Sequence, residues 1–138
     1  MPAPNTDAPA ADAESVVAEV LSAYLRGDLD RARSLVSGDF VFQAPMIEQQ
    51  ATKEAFFAGA EQKVALIEDH RILRSWVDGE EVSTVYEIDV RTGGGAGSMR
   101  LHEWHTVRDG RLLSTVMTFD TAAPAALLMH QAFMSPHA

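Results

Sequence analysis

Apolar residues recur every three to four positions in the first half of the chain and every second position later on. In ESVVAEVLSAYLRGD, Val16, Val17, Val20, Leu21, Tyr24 and Leu25 fall on one helical stripe. Asp12 or Ser15 is placed to cap its start and Gly27 to stop it. DLDRARSLVSGD predicts a short second helix: Asp28 caps it, Leu29, Ala32, Leu35 and Val36 are apolar, and Gly38 ends it. FVFQAPM is strand-like and is stopped by Pro45, which cannot donate to a ladder. TKEAFFAGAEQKVALI predicts a third helix, with Thr52 as cap and Phe56, Phe57, Ala60, Val64 and Ile67 on one face. Gly59 weakens that helix by up to about 1 kcal/mol relative to alanine.

Beyond His70 the period is two. HRILRSWV, EVSTVYEIDVRT, MRLHEWHTV and LLSTVMTFD predict strands, with tight turns at Asp78–Gly79 and in RDGR. GGGAGS lies between two strands and predicts a flexible hairpin loop; phosphate-cradling glycine loops precede helices. PAALLMHQAFM returns to helical spacing within a tail spanning residues 123–138. Helices followed by an antiparallel meander predict an α+β domain over residues 13–122. Three N-terminal helices would pack on a curved, mixed or antiparallel sheet, giving a cone that encloses a pocket.

Composition narrows the function. The 138 residues suit one domain. A formal net charge of −9 disfavours nucleic acid and anionic membrane surfaces as partners. The absence of cysteine excludes disulfides and thiolate nucleophiles. No apolar run approaches the roughly 20 residues that span a bilayer. MPAPNTDAPAADAE lacks the basic and apolar parts of a signal peptide, so a cytoplasmic location is expected, with residues 1–12 as a disordered tail.

The candidate chemistry lies in MRLHEWHTV. Side chains alternate across a strand. Met99, Leu101, Glu103, His105 and Val107 share one face; Arg100, His102, Trp104, Thr106 and Arg108 share the other, bracketed by arginines that prefer water. The first face should therefore turn into the cone and carry Glu103 and His105 with it. Such a couple can move a proton to or from an enolisable carbonyl or a hydroxyl leaving group. Alternatively the two residues hydrogen-bond structurally or face a subunit interface. HEWH is not a zinc motif, because its histidines are three apart on opposite strand faces, so no metal is expected.

By the same alternation Tyr86 and Ile88 face inward, and Glu87 and Asp89 point outward. Leu113, Thr115, Met117 and Phe119 form one face of the last strand, the expected pocket wall, and Asp120 caps the following turn. Tyr86, Ile88, Leu101, Thr115, Met117, Phe119, Phe42 and Phe57 are the candidate substrate contacts, although Phe40, Phe42, Met46, Phe56, Phe57 and Trp76 also suit the core. His102, His130 and His137 have no discernible role.

YLRGDLDRARSLVSGDFVFQAPM, VDGEEVSTVYEIDV and WHTVRDGRLLSTVMTFD together resemble the SnoaL-like, polyketide cyclase-like branch of the NTF2-like superfamily, over about residues 13–121. The resemblance implies an NTF2-like cone and a homodimer packed through outer sheet faces, which Trp104 would suit. Its GDLD, VRDGR and FD elements mark a fold rather than a reaction. Steroid isomerases of that superfamily carry a tyrosine seven residues before the GDLD glycine, where this chain has Val20. They place a base aspartate before the first-strand proline, where this chain has Ala44. Their third acid falls near Glu103. The epoxide hydrolase pattern also fails: YEID has no arginine, and the last-strand acid position falls near Met117. The resemblance implies a cofactor-free enzyme that cyclises, isomerises or dehydrates an apolar carbonyl compound of polyketide, terpenoid or steroid type. The other class open to the same cone is a non-catalytic ligand-binding or assembly module.

Overall fold

The computed structural model describes residues 12–134, so most of the expected N-terminal tail lies outside the described residues. Helix α1 spans Ala13–Leu25, and its Asp12 cap accepts from the Ser15 amide at 2.8 Å. Helix α2 spans Leu29–Ser34, capped by Asp28. It ends four residues before Gly38, because Val36 already begins strand β1, Val36–Gln43. The short strand β2, Ala51–Thr52, leads into α3, Lys53–Ala58, where the Thr52 hydroxyl accepts from the Ala55 amide.

The expected third helix is two pieces. Gly59 ends α3, and α4 runs only over Ala60–Val64. Ile67 belongs to the next strand, β3, Ile67–Asp78. Strands β4, Glu81–Thr92, β5, Gly95–Arg108, and β6, Arg111–Phe119, complete a six-stranded sheet of order β2-β1-β6-β5-β4-β3. All neighbours are antiparallel except β1 and β6, so the sheet is mixed. The expected α+β architecture, with helices against a curved and unclosed sheet, is present. Asp109 and Gly110 both take positive φ, 54° and 75°, the mirror-image turn that matches strand twist in a tight hairpin.

The glycine-rich segment is mostly strand rather than loop. Gly95, Ala96 and Gly97 pair with Thr92, Arg91 and Val90, leaving Gly93 and Gly94 as the turn. Gly97 also seats helix α5, Pro124–Met134. A Cβ at position 97 would lie 2.8 Å from the Pro124 Cβ and 3.1 Å from the Ala125 nitrogen, and part of that contact is backbone. Gly97→Val should therefore lift α5 off the sheet. The expected loss is about 1–3 kcal/mol, read as a lower urea midpoint with faster proteolysis within residues 124–134. A variant as stable and protease-resistant as the parent would show that α5 does not need this approach.

The core lies between α1 and the inner face of the sheet. Val16, Val17, Val20, Leu21 and Tyr24 of α1 are buried with Val82, Tyr86, Ile88 and Val90 of β4, as the two periodicities require. Trp76 and Met46 do not join this core and are half exposed. Trp76 pairs with Ser83, on the strand face opposite Thr84 and Tyr86, so it faces outward. On the same outer face Arg71 bridges Glu87 and Asp89, and Arg100 holds Glu87. Both carboxyls sit below their usual range. The Arg100 bond is the first cause for Glu87, the Arg71 bond for Asp89. These exposed pairs fix the outer surface and take no part in the interior.

Candidate functional site

The inner face of the sheet, α1 and α5 enclose a cavity of about 300 Å³. Its wall is mainly apolar, with Val17, Leu21, Phe40, Phe56, Met99 and Met129 among the lining residues. Five cavity-facing residues from four elements carry its central chemistry: Tyr24 on α1, Lys63 on α4, Tyr86 on β4, and Glu103 and His105 on β5.

Strand β5 buries alternate residues throughout this stretch: Met99, Leu101, Glu103, His105 and Val107 are inside. Glu103 is only 6% exposed and His105 only 2%, so both have left water. Cross-strand register supplies partners for each. His105 pairs with Thr115 on β6, and its Nδ1 lies 2.9 Å from the Thr115 hydroxyl. Glu103 sits diagonally from Tyr86, whose hydroxyl donates to Oε2 at 2.6 Å.

Burial of the Glu103 carboxyl favours its neutral form and raises its pKa to about 7, against the lowering effects of the Tyr86 bond and the Lys63 charge. Burial has the opposite effect on the base: His105 falls to about 3, helped by His102. The imidazole is thus neutral near pH 7, where Glu103 is divided between acid and carboxylate. Their closest atoms, His105 Nε2 and Glu103 Oε1, are 3.3 Å apart. The geometry is not that of a hydrogen bond, and Nε2 has no partner among the described residues. The contact at neutral pH is therefore no full ion pair. A neutral imidazole has one donor and one acceptor nitrogen. The choice made at Thr115 decides which of the two Nε2 presents to Glu103 or to a ligand.

Tyr24 is buried, yet its hydroxyl meets no partner among the described residues. Burial and then the Glu103 charge raise its pKa, so it stays a donor at any ordinary pH. A buried unpaired hydroxyl is uncommon because it forfeits its hydration, and a ligand oxygen in the cavity would restore the bond. Tyr86 is likewise raised, first by burial and then by Glu103.

Phe42, Tyr86, Ile88, Leu101, Thr115, Met117 and Phe119 all line the cavity. Phe57 does not. It is buried beneath the Arg33 guanidinium, 4.8 Å from its ring centre, while the adjacent Phe56 reaches the cavity. Neighbouring helical residues point about 100° apart, and here that rotation turns Phe57 toward Arg33 and away from the cavity. Leu113 also departs from the expected wall. A register irregularity pairs Val107 with Leu112 but Thr106 with Ser114, so Leu112 turns inward in its place. Tyr24, Lys63 and His130 line the cavity as well, and none had been singled out for it. Tyr24 was legible in principle, one helical turn beyond Val20 on the same stripe.

A family model described as a SnoaL-like domain matches residues 17–115. Among solved structures, wild-type IdmH, a putative polyketide cyclase from Streptomyces antibioticus, is 18% identical with a TM-score of 0.70; the match covers 88% of this chain and 98% of that one. A protein from Kribbella flavida DSM 17836 is 21% identical at TM-score 0.70, covering 88% and 93%. AclR, a putative hydroxylase from Streptomyces galilaeus, is 14% identical at TM-score 0.69, covering 86% and 96%. An NTF2-like protein from Cytophaga hutchinsonii ATCC 33406 is 17% identical at TM-score 0.63, covering 88% and 96%. At these identities the likeness concerns the fold alone. No curated protein matches the sequence at a significant level.

Proposed function

The chain belongs to the SnoaL-like domain family, and we propose that it is a cofactor-free acid–base enzyme acting on an apolar carbonyl compound by cyclisation, isomerisation or dehydration. The observation that carries this reading is the unpartnered Tyr24 hydroxyl in the same apolar cavity as the buried Glu103 and His105. In its carboxylate form Glu103 takes a proton from the carbon next to the carbonyl. The electron pair moves onto the carbonyl oxygen, and Tyr24 donates a hydrogen bond to the resulting enolate. Tyr86 holds the carboxylate in place, Glu103 keeps the abstracted proton and returns it to the enolate or to the departing hydroxyl, and neutral His105 offers its unpartnered Nε2 to the substrate. The enolate then closes a ring, reprotonates elsewhere or expels a hydroxyl. The apolar wall suits polyketide-, terpenoid- or steroid-like frames, and the putative cyclase among the structural relatives agrees with such chemistry.

Hydrogen–deuterium exchange at the carbon next to the carbonyl of 1-tetralone in D2O, followed by proton NMR, tests the first step without the natural substrate. The native chain should accelerate exchange over buffer. Tyr24→Phe should reduce that rate about 100- to 1,000-fold with little change in melting temperature, since the hydroxyl it removes satisfies nothing in the fold. An unchanged rate would remove Tyr24 from the mechanism.

The second reading, a dimeric assembly or binding module, draws on the outer sheet face. Trp76, Ser83, Trp104 and Val116 form one cross-strand row there, with the tryptophans 48% and 49% exposed. Two copies packed through this row would cover both indoles. Sedimentation at micromolar concentration should then give a dimer that Trp104→Glu converts to monomer, while a monomeric parent would remove the homodimer.

A further inference from the structure

Lys63 has no place in the acid–base scheme, yet it lines the same cavity. It projects from α4, the short helix set apart by the break at Gly59, and is half-buried against the apolar cavity. Among the described residues no ion pair or hydrogen bond engages its ammonium. A partly desolvated ammonium without a partner gains from a nearby anion, and burial lowers its pKa, an effect the Glu103 charge opposes. Glu103 is an incomplete counter-ion, because its carboxylate already receives Tyr86 and burial favours its protonated form.

The other titratable groups facing the cavity supply no anion. Tyr24 and Tyr86 stay protonated, and His105 is neutral. His130 of α5, which also lines the cavity, is exposed. Glu103 is the only carboxylate among the described lining residues. The cavity wall therefore carries one half-buried ammonium that lacks a full counter-charge, on a chain whose formal net charge is −9.

We propose that Lys63 is a specificity residue that binds the carboxylate of the substrate, so that the natural substrate is an apolar carboxylic acid rather than a neutral molecule. A single ammonium in an otherwise apolar wall matches one negative charge. A phosphate dianion would need the further donors that built phosphate sites provide, and the lining has no arginine. This rests on the acid–base reading for the fate of the substrate but not for its binding.

The test compares 2-naphthoate with 2-naphthamide, flat molecules of nearly equal size that differ in charge, by isothermal titration calorimetry at pH 7. The acidic exterior repels the anion, so preference for naphthoate requires a local cation. The native chain should bind naphthoate about tenfold more tightly, the scale of one charge-assisted hydrogen bond. Lys63→Met should erase that preference and leave naphthamide affinity unchanged, and Lys63→Arg should retain it. Equal affinities in the native chain, binding of neither probe, or a preference that survives Lys63→Met would each overturn the inference. A chain that prefers naphthoate yet fails to exchange 1-tetralone would overturn the acid–base function alone. The reverse pair of results would overturn the Lys63 assignment alone.

Discussion

Glu103→Gln should abolish the 1-tetralone exchange, lowering the rate by about 10²- to 10⁴-fold, the usual worth of a placed general base. The substitution keeps the shape of the side chain and an oxygen able to accept from the Tyr86 hydroxyl, now 2.6 Å from Oε2. The fold should therefore persist and only the proton transfer should fail. The pH profile of the parent gives an independent check. The base is the ionised carboxyl, and burial sets its pKa at about 7. Exchange should accordingly rise with pH, reach half its limit near 7 and level off above it. His105 adds no limb in this range, because its imidazole is protonated only near pH 3. A Glu103→Gln chain that exchanges as fast as the parent would leave the cavity as a binding site without base chemistry.

How much of this was legible in the sequence depends on which residues carried a local pattern. The inward set on β5 was legible because apolar Met99, Leu101 and Val107 share parity with Glu103 and His105, and a strand cannot bury one without the others. Caps at Asp12, Asp28 and Thr52 were equally plain, since a side-chain oxygen must meet the free amides at a helix start. What failed depended on distant parts of the chain. Leu112 displaced Leu113 because of an irregularity in pairing, which parity counting cannot detect. Gly95 and Gly97 became strand because β4 extends far enough to pair with them and α5 needs Gly97 small. Trp76 resembled core by composition but lies outward on the edge strand β3.

The candidate site shows the same division. Glu103, His105 and Tyr86 belong to neighbouring strands whose periods could be read directly. Lys63 could not be found that way. A lysine in a helix of mixed polarity reads as a solvent-facing residue, and only the break at Gly59 and the placement of α4 bring it to the cavity. Tyr24 was hidden for the opposite reason. On an apolar stripe it counts as one more core residue, and nothing in the spacing says that its hydroxyl will find no partner.

The same substitution that removes the base should make the protein more stable, and increasingly so with pH. The folded chain raises the Glu103 pKa from its ordinary 4.5 to about 7. The folded state therefore holds this proton more tightly than the unfolded state does. The stability gained is present in full below 4.5 and is lost as pH rises to about 7, a span worth about 3 kcal/mol. His105 runs the other way. Its pKa falls from 6.5 to about 3, so its contribution is present in full above 6.5 and is lost as pH falls toward 3. Between 4.5 and 6.5 the two slopes oppose and nearly cancel for this pair. Glu103→Gln leaves the His105 slope alone. The variant's urea-derived stability should thus gain on the parent's steadily from pH 4.5 and hold a constant margin above about 7. Groups that do not feel the Glu103 charge act on both chains alike and drop out of the difference, and Tyr24 and Tyr86 stay protonated throughout this range. A difference that stays constant from pH 4.5 to 8 would mean that the Glu103 carboxyl ionises as it does in water, and the buried acid on which the chemistry depends would not exist.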